Sequence, residues 1–488
     1  MALLGRWLSA ALLGPLAGGL PAADAALAAE PVPAEQQRRL CRDELATAID
    51  AIAEGGALER ARWGVLVRTL EGGRTLYARH PRQYFTPASN AKLLTTAAAL
   101  RELGGSFRFQ TPAYATGSPP ELATLRIFGR WDPSLKTRDL ERLAQQLARQ
   151  GVRRIERAIA DRGGTPGPTV PPTWAWEDAY AAYGAIPDPF MLNGNAAPLQ
   201  LQPRQLGQPL RLRWRDPVAA RQWDLRNRSL TVAAGSTPAI NMTGRLGTPV
   251  LRVGGQLPAD AESQTWQLSV PQPGRYWVQT LQSALRDRGI AVGQASVASS
   301  RPPERDPLAT LSSPPLAELV ATTNRQSNNL YAEALFRKLG ARSVATTGSR
   351  AIEQVLSEIG VPRESYALTD GSGLSRHNRI SPQALVATLR QMAQTPQASV
   401  YRDSLAVAGR SGTLQERLQG TAAAGRLQGK TGTMTGVSAL SGYLETGEAP
   451  TLTFAILLNR SGRNVPTMRA AIDRIVQRLA RWPACAPQ

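Results

Sequence analysis

Phe85-Thr-Pro-Ala-Ser89-Asn-Ala-Lys92-Leu-Leu-Thr-Thr-Ala-Ala-Ala-Leu100 joins a proline-containing turn to an uninterrupted run of strong helix formers. Pro87 ends the extended approach, and alanine, leucine and lysine favour the helix that follows. Lys92 stands three residues after Ser89, so the two side chains share one helical face. Two readings fit. In one, Ser89 caps the helix and Lys92 is a solvated charge one turn on. In the other they are a nucleophile and its base: a serine hydroxyl attacks poorly until something takes its proton, and a lysine kept neutral by burial and neighbouring positive charge can do so. The helix N-terminus would then offer backbone N–H groups to a developing oxyanion.

The 488 residues allow about three domains at roughly 150 residues each. Residues 1–28 carry a basic head ending at Arg6, an apolar run from Trp7 to Leu20 and then small residues. That is the pattern of a secretory signal, with cleavage after Ala25 or Ala28. Glycine and proline interrupt the run and it is short for a membrane span, so the expectation is a soluble exported protein, periplasmic, with no transmembrane anchor after cleavage. Cys41 and Cys485 are the only cysteines, and outside the cytoplasm they either pair or remain as two thiols. With only His80 and His377 besides, neither a zinc site nor another cofactor is expected.

A formal charge of +20 raises the question of nucleic acid. The arginines are scattered rather than gathered with aromatics into a basic run, which argues against such a partner. Attraction to anionic cell-surface polymers fits better, with nonspecific surface charge as the plain alternative. The basic set is itself uneven: Lys92, Lys136, Lys338 and Lys430 are the only lysines, against 53 arginines. Where arginine supplies plain charge, a lysine is a candidate for something arginine cannot do, such as losing its proton.

Outward from the Ser89 stretch, Pro33 to Glu54 has helical periodicity, and the segments at 62–70 and 74–79 read as a hairpin about Glu71-Gly-Gly73. From Thr111 short strands and many turns predominate, with helices near 138–150 and 276–288. From Pro314 the chain is helix-rich again, then forms three successive strands at 425–432, 437–444 and 451–458, expected to be an antiparallel meander, and a closing helix at 465–481. This division gives a first part of a catalytic domain over 30–110, an insertion of one or two β-rich domains over 111–295, and the second part of the catalytic domain over 296–488.

Two distant stretches bear on Ser89. Ser327-Asn-Asn329 precedes a helix, and Lys430-Thr431-Gly432-Thr433 lies on the first strand of the meander. Each has an ordinary explanation, helix capping for the first and a strand-edge charge for the second. Ser-x-x-Lys, Ser-x-Asn and Lys-Thr-Gly in that order are nevertheless the signature of penicillin-binding proteins and serine β-lactamases. Two of only four lysines complete it.

With its flanks, in particular Ser313-Pro-Pro-Leu316, Ser327-Asn-Asn-Leu-Tyr-Ala-Glu333, Asp370-Gly-Ser-Gly-Leu-Ser375-Arg376 and Gly412-Thr-Leu414, the chain resembles the class C low-molecular-mass penicillin-binding proteins, the D-Ala-D-Ala carboxypeptidase/endopeptidase family. Ser89 and Ser327 stand 238 positions apart, a separation that fits that family and disfavours the alternative of a compact β-lactamase or an esterase. One departure is Gly129-Arg-Trp-Asp132-Pro133, where the family has a small glycine-rich turn.

The resemblance implies an α/β fold of the α+β type: a penicillin-binding/β-lactamase-like transpeptidase domain, its antiparallel sheet flanked by helices, carrying a large β-rich insertion. It also implies peptidoglycan stem peptides as substrate and β-lactams as acylating inhibitors. Ser89 would be the nucleophile, Lys92 its base, Ser327 the proton donor to the leaving amine and Asn329 the group orienting Lys92 and the substrate amide. Lys430, Thr431 and Thr433 would hold the terminal carboxylate beside Gly432, with the Thr433 N–H in the oxyanion hole. Asp178, Tyr183 and Arg376 would recognise the free end of a diaminopimelate side chain; local packing of Trp174, Trp176 and Tyr183 with a surface aspartate is the alternative. A Ser-His-Asp triad would have to use His80 or His377, and a catalytically silent wall-binding or sensor protein is the remaining reading.

Overall fold

The computed structural model describes residues 42–165, 170–244, 248–301, 306–341, 347–447 and 449–482. The proposed signal and both cysteines lie outside the described residues. Among the described residues no helix is long and apolar enough to cross a membrane.

The chain divides into two compact units, one of them made of residues 42–110, 171–174 and 312–482 among those described. Its centre is a six-stranded antiparallel sheet in the order Ala406–Val407, Leu427–Met434, Val437–Thr446, Ala449–Asn459, Arg62–Thr69, Thr75–Arg79. The expected hairpin and meander are both present and form one sheet. Arg62 pairs with Asn459 and Thr69 with Leu452, so the first strand of the unit adds to the last.

Val437–Thr446 is buried at its first eight positions, which requires cover on both faces of the sheet. On one face Leu45 and Ile49 from helix Arg42–Glu54 and Met468, Ile472, Ile475 and Leu479 from helix Val465–Ala480 pack with Trp63, Val65, Leu440, Phe454 and Ile456. The other face carries helix Pro382–Met392, where Tyr443 Oη donates to the Leu389 carbonyl at 2.6 Å. Helix Ala91–Leu103 is enclosed further still. Every residue from Ala91 to Leu100 is buried, including Lys92, Thr95 and Thr96, because helices Leu316–Arg325, Asn329–Gly340, Gly348–Glu358 and Pro382–Met392 surround it.

The other unit comprises residues 111–170 and 175–311. It continues past residue 295 because Ala309–Ser312 forms an edge strand of its mixed sheet, whose order is Ala291–Ala298, Arg154–Asp161, Glu121–Phe128, Gln110–Ser118, Ala309–Ser312. The insertion is β-rich, yet Arg154–Asp161 pairs parallel with both of its neighbours, and helices Thr137–Arg149 and Pro273–Arg286 pack on that sheet. Two three-stranded sheets share a separate core that includes Leu199, Leu201, Leu251 and Leu257. Trp131, in the turn that departs from the family pattern, has φ +66°, a conformation that favours glycine.

Since Leu94 is wholly buried in the enclosed helix, Leu94→Ala should lower unfolding free energy by about 2–5 kcal/mol, read from the urea midpoint.

Candidate active site

Ser89 sits in a 3₁₀ turn, Ala88–Asn90, that runs directly into helix Ala91–Leu103. Ala88 takes φ +46°, a strained value for a residue with a Cβ, and this bend presents Ser89 at the mouth of the helix. The Ser89 side chain does not cap the helix. Its Oγ lies 2.9 Å from Lys92 Nζ.

Lys92 is fully buried, and its Nζ also lies 2.6 Å from Asn329 Oδ1 and 2.6 Å from the Ser372 carbonyl oxygen. The chemistry follows from valence. A neutral amine has two N–H groups and one lone pair; Asn329 Oδ1 and the Ser372 carbonyl can only accept and therefore take the two N–H groups. In that neutral form the lone pair faces Ser89, whose O–H donates to it; in the ammonium form Ser89 Oγ accepts from Nζ instead. Burial lowers the Lys92 amine to about 7, against the opposing influence of Asp370 and Glu333.

Ser327 lies between helices Leu316–Arg325 and Asn329–Gly340 with φ +58°, another left-handed residue two positions before Asn329. The capping expected of Ser327-Asn-Asn329 belongs to Asn328 alone, whose side chain accepts from the Tyr331 N–H at 3.1 Å. Lys430 Nζ donates to Ser327 Oγ at 2.9 Å and to the Thr431 carbonyl at 2.8 Å. Burial, and then the nearby Lys92, push the Lys430 amine well below its ordinary value. Thr431 Oγ1 donates to Thr413 Oγ1 at 2.8 Å. A Cβ added at Gly432 would stand 2.6 Å from the Pro87 carbonyl oxygen, so only glycine lets this strand pass so close to the nucleophile turn. Thr433, next along, is exposed and accepts from Arg469 Nη2 at 3.2 Å.

The Asp370–Ser375 turn closes the site from another side. Asp370 Oδ1 accepts from the Gly373 N–H and from Asn378 Nδ2, both at 2.8 Å, while Oδ2 accepts from the Ser375 N–H at 2.6 Å and from the Trp174 indole at 2.8 Å. Glu333 Oε1 accepts from the Gly371 and Ser372 N–H groups at 3.0 and 2.8 Å. Gly373 has φ +83°, and a Cβ there would meet the Ala88 carbonyl oxygen at 2.0 Å.

Ser89, Lys92, Ser327, Asn329, Lys430 and Thr431 are thus linked by hydrogen bonds or adjacent in one cluster. Arg376 belongs to the same unit; it is exposed and donates to the Thr435 carbonyl at 3.2 Å. Asp178 and Tyr183 belong to the other unit, where Tyr183 Oη donates to Asp178 Oδ1 at 2.8 Å, and burial together with that carboxylate raises the phenol's pKa. Trp174 belongs to the same unit as Arg376, where its indole N–H donates to Asp370. His80 Nδ1 is 2.9 Å from the Trp63 carbonyl oxygen, and His377 is exposed. The roles of the Ser372 carbonyl, Glu333 and Thr413 were not assigned from sequence, although each lies in a motif that carried the resemblance.

A family model described as the D-Ala-D-Ala carboxypeptidase 3 (S13) family matches residues 45–479. A D-alanyl-D-alanine carboxypeptidase of Actinomadura sp. is 35% identical over 463 residues, covering 90% of this chain and 85% of its own. The penicillin-sensitive carboxypeptidase A of Dictyostelium discoideum is 27% identical, covering 88% and 89%. The crystal structure of penicillin binding protein 4 (dacB) from Haemophilus influenzae superposes with a TM-score of 0.78 at 21% identity, covering 88% of this chain and 98% of that one. The match spans both the Ser89 helix and the Lys430 strand, and the chain belongs to the D-Ala-D-Ala carboxypeptidase S13 family.

Proposed function

We propose that the protein is a serine peptidase that hydrolyses the D-Ala-D-Ala bond of peptidoglycan stem peptides, by carboxypeptidase or endopeptidase action, through an acyl-enzyme on Ser89. The observation that carries this reading is the fully buried Lys92 Nζ lying 2.9 Å from Ser89 Oγ. As Ser89 Oγ bonds to the carbonyl carbon of the penultimate D-alanine, its proton passes to Lys92 Nζ and the carbonyl becomes an oxyanion. The backbone N–H groups of Ser89 and Thr433 receive that charge, an arrangement worth about 10²–10³ in rate per donor. Collapse breaks the C–N bond: Ser327, bonded to Lys430, hands its proton to the departing amine and recovers one from the Lys92 ammonium, so that both return to their starting forms. Water then attacks the ester as neutral Lys92 takes its proton, and collapse breaks the bond to Ser89 Oγ, which recovers that proton from Lys92 as the product acid leaves.

Lys430, Thr431 and Thr433 bind the terminal carboxylate, and Gly432 keeps the strand close to Ser89. The carboxylate would restore Lys430 to its charged form by supplying the counter-charge that burial withholds. A β-lactam carries the same amide-and-carboxylate pair and acylates Ser89 in the same way. The residues carried over for the diaminopimelate end are Asp178 with Tyr183 for its amine and Arg376 for its carboxylate. The signal-like residues 1–28 support export to the periplasm, where this substrate is found.

Incubation with a fluorescent penicillin should give a covalent band on denaturing electrophoresis that Ser89→Ala abolishes; an unlabelled wild-type protein would exclude the acyl-enzyme and favour a silent wall-binding protein. The acylation rate should climb with pH through about 7, as the Lys92 ammonium loses its proton and becomes a base. Lys92→Arg should reduce the rate by about 10² or more, since a guanidinium stays protonated. Asp178→Ala should lower kcat/KM for a diaminopimelate-containing peptide by about tenfold while leaving penicillin acylation within about twofold, a contrast measured on the two substrates side by side.

A further inference from the structure

Glu333 has no part in the steps above, yet it is buried at 1% exposure one helical turn beyond Asn329. At a spacing of four residues the two side chains occupy the same helix face. Asn329 bonds Lys92 directly through Oδ1. Glu333 reaches the same amine at one remove: Oε1 accepts from the Gly371 and Ser372 N–H groups, and the Ser372 carbonyl in turn accepts from Lys92 Nζ. One helix face therefore governs both acceptors that fix the direction of the lysine lone pair.

Holding two N–H groups needs only one oxygen. Glu333 Oε2 is buried without a hydrogen-bond partner, an expensive placement that an amide or an apolar side chain would lessen or avoid. The charged groups around the carboxylate are Lys92 from the nucleophile helix, Asp370 from the turn and Arg337 one turn on in its own helix. The negative charge consequently faces the amine that becomes an ammonium when Ser89 is deprotonated.

We propose that Glu333 is a positioning residue for acylation, clamping the Ser372 carbonyl against Lys92 and stabilising, by its charge, the ammonium that forms when Lys92 takes the Ser89 proton. This role rests on the Ser89–Lys92 reading and deepens it. Burial, and secondarily Asp370, push the Glu333 carboxyl up to about 7, and its charge favours the protonated form of Lys92.

The test is the rate of acylation by benzylpenicillin from pH 5 to 10 for wild type, Glu333→Gln and Glu333→Ala, normalised to the fraction of protein that can be labelled, with Tm measured alongside. Glu333→Gln keeps an acceptor for both N–H groups and removes the charge. It should move the half-rise of the profile to lower pH by about one unit, because Lys92 loses an anion that favours its protonated form, and should lower the plateau about tenfold, because a weaker base accepts the Ser89 proton less readily. Glu333→Ala removes the clamp as well and should lower the plateau further. A Glu333→Gln profile superimposable on wild type, whatever its Tm, would overturn the proposal even if Glu333→Ala failed to fold. Wild-type protein that is not labelled at all would remove the acyl-enzyme reading and this role together, so the two failures are distinguishable.

Discussion

A lysine side chain enclosed on all sides keeps its charge only if something nearby compensates the lost hydration, and the surroundings of Lys92 do so in part. Asp370 and Glu333 favour the ammonium while desolvation opposes it, leaving the amine balanced near neutrality. The protein must then hold a group that can be either charged or neutral without leaving its donors or acceptors unpaired. Two carbonyl-type oxygens and one hydroxyl satisfy both forms: the hydroxyl accepts from an ammonium and donates to a free amine. Of the three partners described for the amine, the serine is thereby the one able to reverse its hydrogen-bonding sense.

The remainder of the unit can be understood as the scaffold for that amine. Its helix is buried through ten successive residues, so neighbouring helices can deliver Asn329 and Ser327 beside it. The sheet delivers Lys430, and Gly432 and Gly373 remove the Cβ atoms that would otherwise hold the strand and the turn away from the nucleophile. Left-handed Ala88 and Ser327 sit at the two serines, where the local backbone strain must be offset by the surrounding packing. Asp370, with four hydrogen bonds from the turn, Asn378 and Trp174, fixes the shape of the loop whose peptide oxygen reaches Lys92.

Much of this could be read in the sequence, because the residues concerned lie in short motifs or periodic elements. The hairpin, the meander and the closing helix followed from alternating or helical apolar patterns, and the scarcity of lysine directed attention to Lys92 and Lys430. Less was legible where the interaction depends on a peptide group or on distant packing. Ser372 contributes a main-chain oxygen, which no residue type announces. Glu333 resembles any helical glutamate until its burial is known, and Trp174 stands beside Trp176 in sequence yet bonds Asp370 some two hundred residues away. The α/β character of part of the insertion was obscured because Ala291–Ala298 meets its parallel partner Arg154–Asp161 only after most of the insertion has intervened.

The pairing of Arg62 with Asn459 brings together strands far apart in the order of synthesis, with the whole insertion produced between them. Contacts so distant in sequence form late, after the intervening chain has been gathered in. A nascent polypeptide that has reached the Ser89 helix still lacks the strand that bears Lys430 and the one against which its own hairpin must pair. The proposed acyl transfer therefore waits on the Lys430 strand, and a product terminated before that strand carries Ser89 without Lys430.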